Sequence, residues 1–340
     1  MAGVNETEPA APQTARTAPA PTTRIFGWFM LAAMAAFLIN TYLTFFIGLP
    51  GTGSLLGWQS NGDPNAWMWL QVAIYVGLPG IVCVHVLRTP DRSLRADAKA
   101  LSDANAFIIR AAFWVVLLVG LADAVVSFLR VEGFLPGLFG DELALDLGRS
   151  QFRGRWIHLP IAAIGIFIAT RSRALGFIWL SLLVVGAELL IVFSRFIFSY
   201  EQAFMGDLVR FWYAALFLFA SSYTLLVDGH VRVDVIYAGL RRRAQGRVNS
   251  VGSIVLGITL CWTVLLIGMW GKASVINGPL LIYETTQTGF GMYVKYFMAG
   301  FLGLFAVTMM IQFVSSLFAA VADTRNEPGG HADHHASHIA

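Results

Sequence analysis

Three ionisable residues of this sequence, Asp123, Glu188 and Arg195, fall inside long apolar stretches, where an unpaired charge is costly. Glu188 and Arg195 are seven residues apart, which is about two turns along one face of a helix. Such residues can conduct a proton or a sodium ion across a membrane, and they can equally form an ion pair between helices. A conduit needs a chain of polar residues across the bilayer, and the surrounding apolar sequence does not supply one. The sequence therefore favours a structural ion pair.

Histidines offer a second chemistry, because two imidazoles on facing helices at matched depth can hold a haem. His85 and His230 fall near helix ends on one predicted side, and His158 falls near a helix end on the other. Only His85 and His230 form a candidate pair, so a membrane-anchoring, cytochrome b-like subunit of a redox complex stays open as the alternative function.

The C-terminal region 326–340 contains further histidines among Gly and Ala residues. Closely spaced histidines can bind a metal, but this composition is typical of a flexible solvated tail. The sequence shows no nucleophile elbow, no glycine-rich phosphate loop and no zinc signature. We therefore expect that the chain is not an enzyme and holds no cofactor. The histidines of this region are His331, His334, His335 and His338.

The overall composition shows which elements must position these residues. Hydrophobic residues make up 57% of the 340 residues and charged residues only 13%, with a mean hydropathy of +0.67. A soluble domain has a charge at about one residue in four. The apolar runs are about 20 residues long, enough for a helix to cross a bilayer, and no alternating strands of a barrel appear. A net charge of +3 is too small to imply nucleic acid. We predict an all-α integral membrane protein that packs in a lipid bilayer.

Apolar runs predict eight transmembrane helices. The fourth run is short and contains Pro160, so a tilted or re-entrant segment is an alternative there. Residues 1–24 are rich in Ala, Pro and Thr and include two glutamates, which predicts a disordered tail rather than a cleavable signal peptide. The predicted helices cover 25–48, 66–88, 106–129, 156–170, 174–200, 208–229, 249–270 and 291–320.

Basic residues concentrate in the loops on one side of this predicted bundle. Short cytoplasmic loops retain Lys and Arg, so this side and both chain termini are predicted to be cytoplasmic. The loop 131–155 falls on the other side although it contains Arg149, Arg153 and Arg155, and we predict an amphipathic interfacial helix there. The basic loops are 88–99, 171–173 and 232–247, whereas 49–65 and 200–207 contain no Lys or Arg.

A distinctive order of charged and aromatic residues runs through the fifth and sixth predicted spans, and further characteristic residues follow toward and within the last span. The fifth span ends in Arg, an aromatic residue, any residue and Phe. An acidic residue and Arg follow near the start of the sixth span. The sixth span ends near a His, which Val-Asp follows. The residues are Arg195, Phe196, Phe198, Asp207, Arg210, His230, Val233 and Asp234, followed later by Tyr283, Glu284, Gly291, Lys295 and Gln312.

This pattern resembles the small membrane subunit of tripartite ATP-independent periplasmic (TRAP) transporters, in the larger form with an N-terminal extension. The family usually has Trp and a further acidic residue where this sequence has Phe204 and Gly206. The resemblance covers 171–325 and implies a four-helix core there, preceded by a four-helix membrane extension at 25–170.

The resemblance also implies a function. A periplasmic solute-binding protein would deliver an organic acid to a large, elevator-type membrane subunit in the bacterial inner membrane, and this chain would be the scaffold that supports the large subunit. Sodium would bind in the large subunit and not in this chain.

Arg195 is predicted to lie within the outer hydrocarbon region and therefore needs a counter-charge. Asp207 is the first candidate, because the segment 199–206 is short enough to fold back beside the fifth span. Asp123, at similar depth on the third span, is the alternative. Either pairing would be structural.

Overall fold

The computed structural model of the chain describes residues 19–56, 65–172, 177–226, 235–283 and 291–329. These residues form helices joined by short connections, and no strand occurs among them. Eight of the helices are long and apolar enough to cross a membrane, which confirms the predicted all-α fold with eight spans. We number them α1 (Pro21–Phe45), α2 (Ala66–Arg88), α3 (Leu94–Val131), α4 (Ser150–Arg171), α5 (Ile178–Phe198), α6 (Ala203–Leu225), α7 (Arg242–Met269) and α8 (Lys295–Thr324).

The helices α3 and α8 lie at the centre of the bundle and run in opposite directions. Near the start of α3, Arg95 contacts Asp323 near the end of α8. The helices α4 and α6 also pack against α3, while α1 and α7 pack against α8; α2 lies on α1, and α5 lies on α6. The end of the bundle at which α3 begins is called the Asp97 end. The opposite end, at which α3 finishes, is called the Asp123 end. These two residues are separated by about 39 Å along the helix.

Two hydrophobic clusters fill the interior. In the cluster toward the Asp123 end, the ring of Phe219 of α6 lies 5.8 Å from that of Phe113 of α3 and 5.0 Å from that of Phe301 of α8, between centroids. The cluster toward the Asp97 end lies among α1, α3, α7 and α8. Because α3 contributes to both clusters, the regions 25–170 and 171–325 share one hydrophobic interior.

The fourth span is longer than the sequence predicts. It is one continuous helix, in which Gly154–His158 is π-helical and the Leu159 N–H bonds the Gly154 carbonyl oxygen five residues back. The wider turn lies directly before Pro160, a residue that cannot donate a backbone hydrogen bond. The fourth span is thus long and apolar enough to cross a membrane.

The connection between α3 and α4 also differs from its prediction. It contains two short helices, Leu135–Phe139 and Asp141–Leu147, in place of one interfacial helix. Arg153 and Arg155 belong to α4, so their assignment to an interfacial helix is wrong. The other short helices of the described chain are Thr52–Leu56, Val235–Ala238 and Asn277–Ile282.

Candidate functional site

A buried carboxylate near the end of α3 joins three parts of the chain. Asp123 Oδ1 accepts a hydrogen bond from Arg153 Nη1 at 2.9 Å and lies 3.2 Å from His158 Nε2. Its other oxygen, Oδ2, accepts a hydrogen bond from the backbone N–H of Tyr293 at 2.7 Å. The side chains of Asp123, Arg153 and His158 are all fully buried. One aspartate therefore connects α3, α4 and the segment that precedes α8.

The π-helical turn of α4 explains how two of its residues reach the same carboxylate. Arg153 and His158 are five residues apart, and in a regular α-helix they would point about 140° away from each other. A π-turn bonds residues five apart and so places them one above the other. The turn packs closely, because a Cβ on Gly154 would lie 2.2 Å from the Tyr283 ring.

Arg153 makes further contacts that fix its guanidinium group. Its Nη1 also donates to Ser127 Oγ at 3.0 Å, and its Nε donates to the Leu147 carbonyl oxygen. The guanidinium carbon lies 4.5 Å from the centroid of the Tyr293 ring, within the range of a cation–π contact. Arg130 lies at the same distance from that ring and donates to the Gly291 carbonyl oxygen at 2.9 Å.

The imidazole of His158 completes the hydrogen bonds of this cluster. His158 Nδ1 lies 2.8 Å from the Tyr296 hydroxyl, so a tautomer protonated on Nε2 can donate to Asp123 and accept from Tyr296. Arg153 then balances Asp123. Each oxygen of the Asp123 carboxylate thus already has a donor. We call the buried structural cluster of Asp123, Arg153 and His158 the Asp123 lock.

A second carboxylate secures the same segment from another helix. Asp207 of α6 is buried, and its Oδ2 accepts a hydrogen bond from the Met292 N–H at 3.1 Å. Its Oδ1 lies 3.5 Å from Arg210, whose side chain is largely exposed. Asp123 and Asp207 therefore bind the N–H groups of two consecutive residues, directly before α8 begins. The entry of α8 into the bundle is fixed from both α3 and α6.

The pairing predicted for Arg195 is wrong. Arg195 Nε lies 3.4 Å from Glu201 Oε2, and both side chains are more than half exposed. Asp207 and Asp123 do not pair with Arg195, because both turn inward to the chain before α8. Ser199, the residue directly after α5, has a positive φ of 50°.

The remaining residues of the sequence pattern are distributed over different surroundings. Phe198 and Arg210 are exposed, and Lys295 is the first residue of α8. Gln312 is buried, and its Oε1 accepts a 3.4 Å hydrogen bond from Asn105 of α3. Three predicted site residues, His230, Asp234 and Glu284, lie outside the described residues.

Of the predicted haem pair, His230 lies outside the described residues. His85 is exposed near the end of α2. Within the described ranges, no group of three or more His, Cys, Asp or Glu side chains could hold a metal ion.

A second buried lock, which the sequence prediction missed, lies at the Asp97 end. Asp97 is buried at the start of α3 and pairs with Arg24 of α1 at 2.7 Å and with Arg92 of the preceding connection. The Trp28 indole N–H donates to the same carboxylate at 3.1 Å. Arg24 also bonds the carbonyl and hydroxyl oxygens of Thr89, which joins α1 to the end of α2.

Comparison with known proteins gives one match. The family model of the DctQ component of tripartite ATP-independent periplasmic transporters matches residues 182–323. No curated protein and no solved structure matches the chain. The match begins in α5 and ends within the last turn of α8, so that α1–α4 precede it. Residues 182–323 of this multi-pass membrane protein are thus similar to the DctQ components of tripartite ATP-independent periplasmic transporters, and the chain extends beyond them on the N-terminal side.

Proposed function

We propose that this chain is the small scaffold subunit of a sodium-coupled TRAP transporter in the bacterial inner membrane. A periplasmic solute-binding protein would deliver an organic acid to a large, elevator-type membrane subunit, which this chain supports. The family match over residues 182–323 is the observation on which this proposal rests.

The arrangement of buried polar groups supports a scaffold rather than a conduit. From Ile109 to Val119 the buried positions of α3 are all apolar, over about 15 Å of helix. The polar contacts of α3 with α8, such as Ser102 to Ser315 at 2.8 Å, lie on the Asp97 side of this stretch. The Asp123 lock lies on the other side. Within the described chain, the fully buried polar residues of α3 are therefore interrupted between Asn105 and Asp123.

The same contacts suggest a role for α1–α4. The elevator domain of a partner needs a fixed reference in the membrane, and a wider helical body resists tilting better than a narrow one. Asp97 ties α1 to α3, while Asp123 ties α3 and α4 to the start of α8. These buried pairs would make the additional helices one rigid body with the part that matches the family.

Uptake in cells that lack their own transporter for the solute tests this proposal. Binding-protein ligands are first identified by the increase they cause in that protein's melting temperature. Cells that express the binding protein, the large subunit and this chain should accumulate such a ligand, whereas cells without this chain should not. Equal accumulation with and without the chain would contradict the scaffold function.

A further inference from the structure

The helix α5 is the least buried of the eight spans. It packs against the hydrophobic cluster at the Asp123 end through Leu180, Leu183, Val184, Ala187 and Ile191, which lie on one side of the helix. Its other side is not covered by the described chain.

A carboxylate lies at the centre of the uncovered side. Glu188 is ten residues, or about 15 Å, from either end of α5, and its side chain is exposed. It has no ion-pair or hydrogen-bond partner in the described part of the chain. A charged group at the middle of the hydrocarbon layer is costly unless another group compensates it. The compensation for Glu188 must therefore come from outside the described part of the chain.

The residues around Glu188 define a continuous surface. Val185, Glu188, Val192 and Arg195 follow the spacing of one helical face, and all four are exposed. We call these four residues the α5 stripe. Arg195 lies about 10 Å further along the helix and contacts Glu201. Glu188 is thus the unbalanced charge of the stripe.

We propose that a transmembrane helix of the large membrane subunit covers the α5 stripe and places a Lys, Arg or hydrogen-bond donor against Glu188. This inference rests on the proposed function, because it takes the large subunit as the partner. Charge complementarity selects such an occupant. Lipid acyl chains contain no donor, and a donor within the membrane is well matched to a carboxylate at the same depth.

A second copy of the chain does not meet this requirement. Copies in one membrane have the same orientation, so a second α5 places its own Glu188 at the depth of the first one. Its Arg195 would lie about 10 Å away along the helix axis. Two carboxylates at one depth repel each other, and the charge would remain uncompensated.

Co-purification of the tagged chain with the large subunit tests this surface. We expect Glu188→Leu to reduce recovery of the complex at least tenfold, because it leaves the partner's cation without a counter-charge. Glu188→Gln should retain more complex than Glu188→Leu, since an amide still accepts a hydrogen bond. The matched control is Glu142→Leu, which changes an exposed carboxylate in the connection between α3 and α4 and should leave recovery unchanged.

Two measurements separate the possible failures. Glu188 makes no ion pair or hydrogen bond within the described chain, so Glu188→Leu should unfold like the wild type when the chain is purified alone. A photo-crosslinking residue at Val192 in the otherwise unchanged chain should attach to the large subunit. Attachment only to lipid or to a second copy, or equal recovery of the wild-type and Glu188→Leu complexes, would overturn the inference. A wild-type chain that never co-purifies with the large subunit would instead contradict the proposed function.

Discussion

The pair formed by Asp123 and Arg153 gives a quantitative test of how the bundle is held together, because both side chains are fully buried. Asp123→Leu leaves the guanidinium group without its counter-ion, and the loss of one member of a buried pair costs about 3 to 5 kcal/mol of unfolding free energy. The same change leaves the Tyr293 N–H without an acceptor, which adds about 1 to 3 kcal/mol. We therefore expect a loss of at least about 4 kcal/mol.

The opposite substitution and the double variant should cost less. Arg153→Met leaves Asp123 with two donors, His158 and the Tyr293 N–H, so we expect a loss of about 3 kcal/mol. The double variant removes both charges and retains mainly the unpaired N–H, for a loss of about 2 to 4 kcal/mol. The two single losses together should exceed the loss of the double variant by at least about 3 kcal/mol.

Unfolding of the purified chain in mixed micelles with increasing sodium dodecyl sulfate measures these free energies. The matched control is the pair of Lys99 and Asp103, which lies on the same helix at 3.0 Å and is largely exposed. A double-mutant cycle on that pair should give a coupling of about 0.5 kcal/mol or less. Additive losses for Asp123 and Arg153, or a coupling as small as that of the control, would refute the buried lock.

Three further predictions follow from packing, orientation and the alternative function. Gly246→Ala should lower the unfolding free energy by about 1 to 3 kcal/mol, because its methyl would lie 2.6 Å from the Ala320 carbonyl oxygen. The control Gly186→Ala meets nothing within 4 Å and should leave the unfolding free energy unchanged or raise it by up to about 1 kcal/mol. Equal effects of the two substitutions would contradict close packing of α7 on α8. A single cysteine in place of Arg243 should resist an impermeant thiol reagent outside intact cells, and labelling would reverse the predicted orientation. The purified chain should show no Soret band, and a haem spectrum lost on His85→Ala would instead support the redox anchor.

The spans could be predicted because membrane helices are encoded by long apolar runs. Hydrophobic length alone located all eight, and the motif around Arg195 and Asp207 led to the family that the comparison confirms. The bounds were least accurate at the starts of α3, α7 and α4, whose polar first turns extend the helix beyond its apolar run. Arg153 illustrates this, since a buried arginine at a helix start resembles a loop residue in sequence.

The pairing of charges could not be predicted, because it depends on which way each side chain faces. Asp207 and Arg195 are close in sequence, but Asp207 faces the chain before α8 and Arg195 faces outward. The π-turn that brings Arg153 and His158 to one carboxylate also changes the helical phase on which sequence reasoning relies. The one available signal was the group of arginines in a loop where the charge distribution predicts few.

Uptake into liposomes made from purified components tests the scaffold claim most directly. With an inward sodium gradient, vesicles that contain this chain and the large subunit should accumulate the solute when the loaded binding protein is added outside. Vesicles with this chain alone should not accumulate it under the same conditions. Sodium-driven uptake by this chain alone would contradict the account.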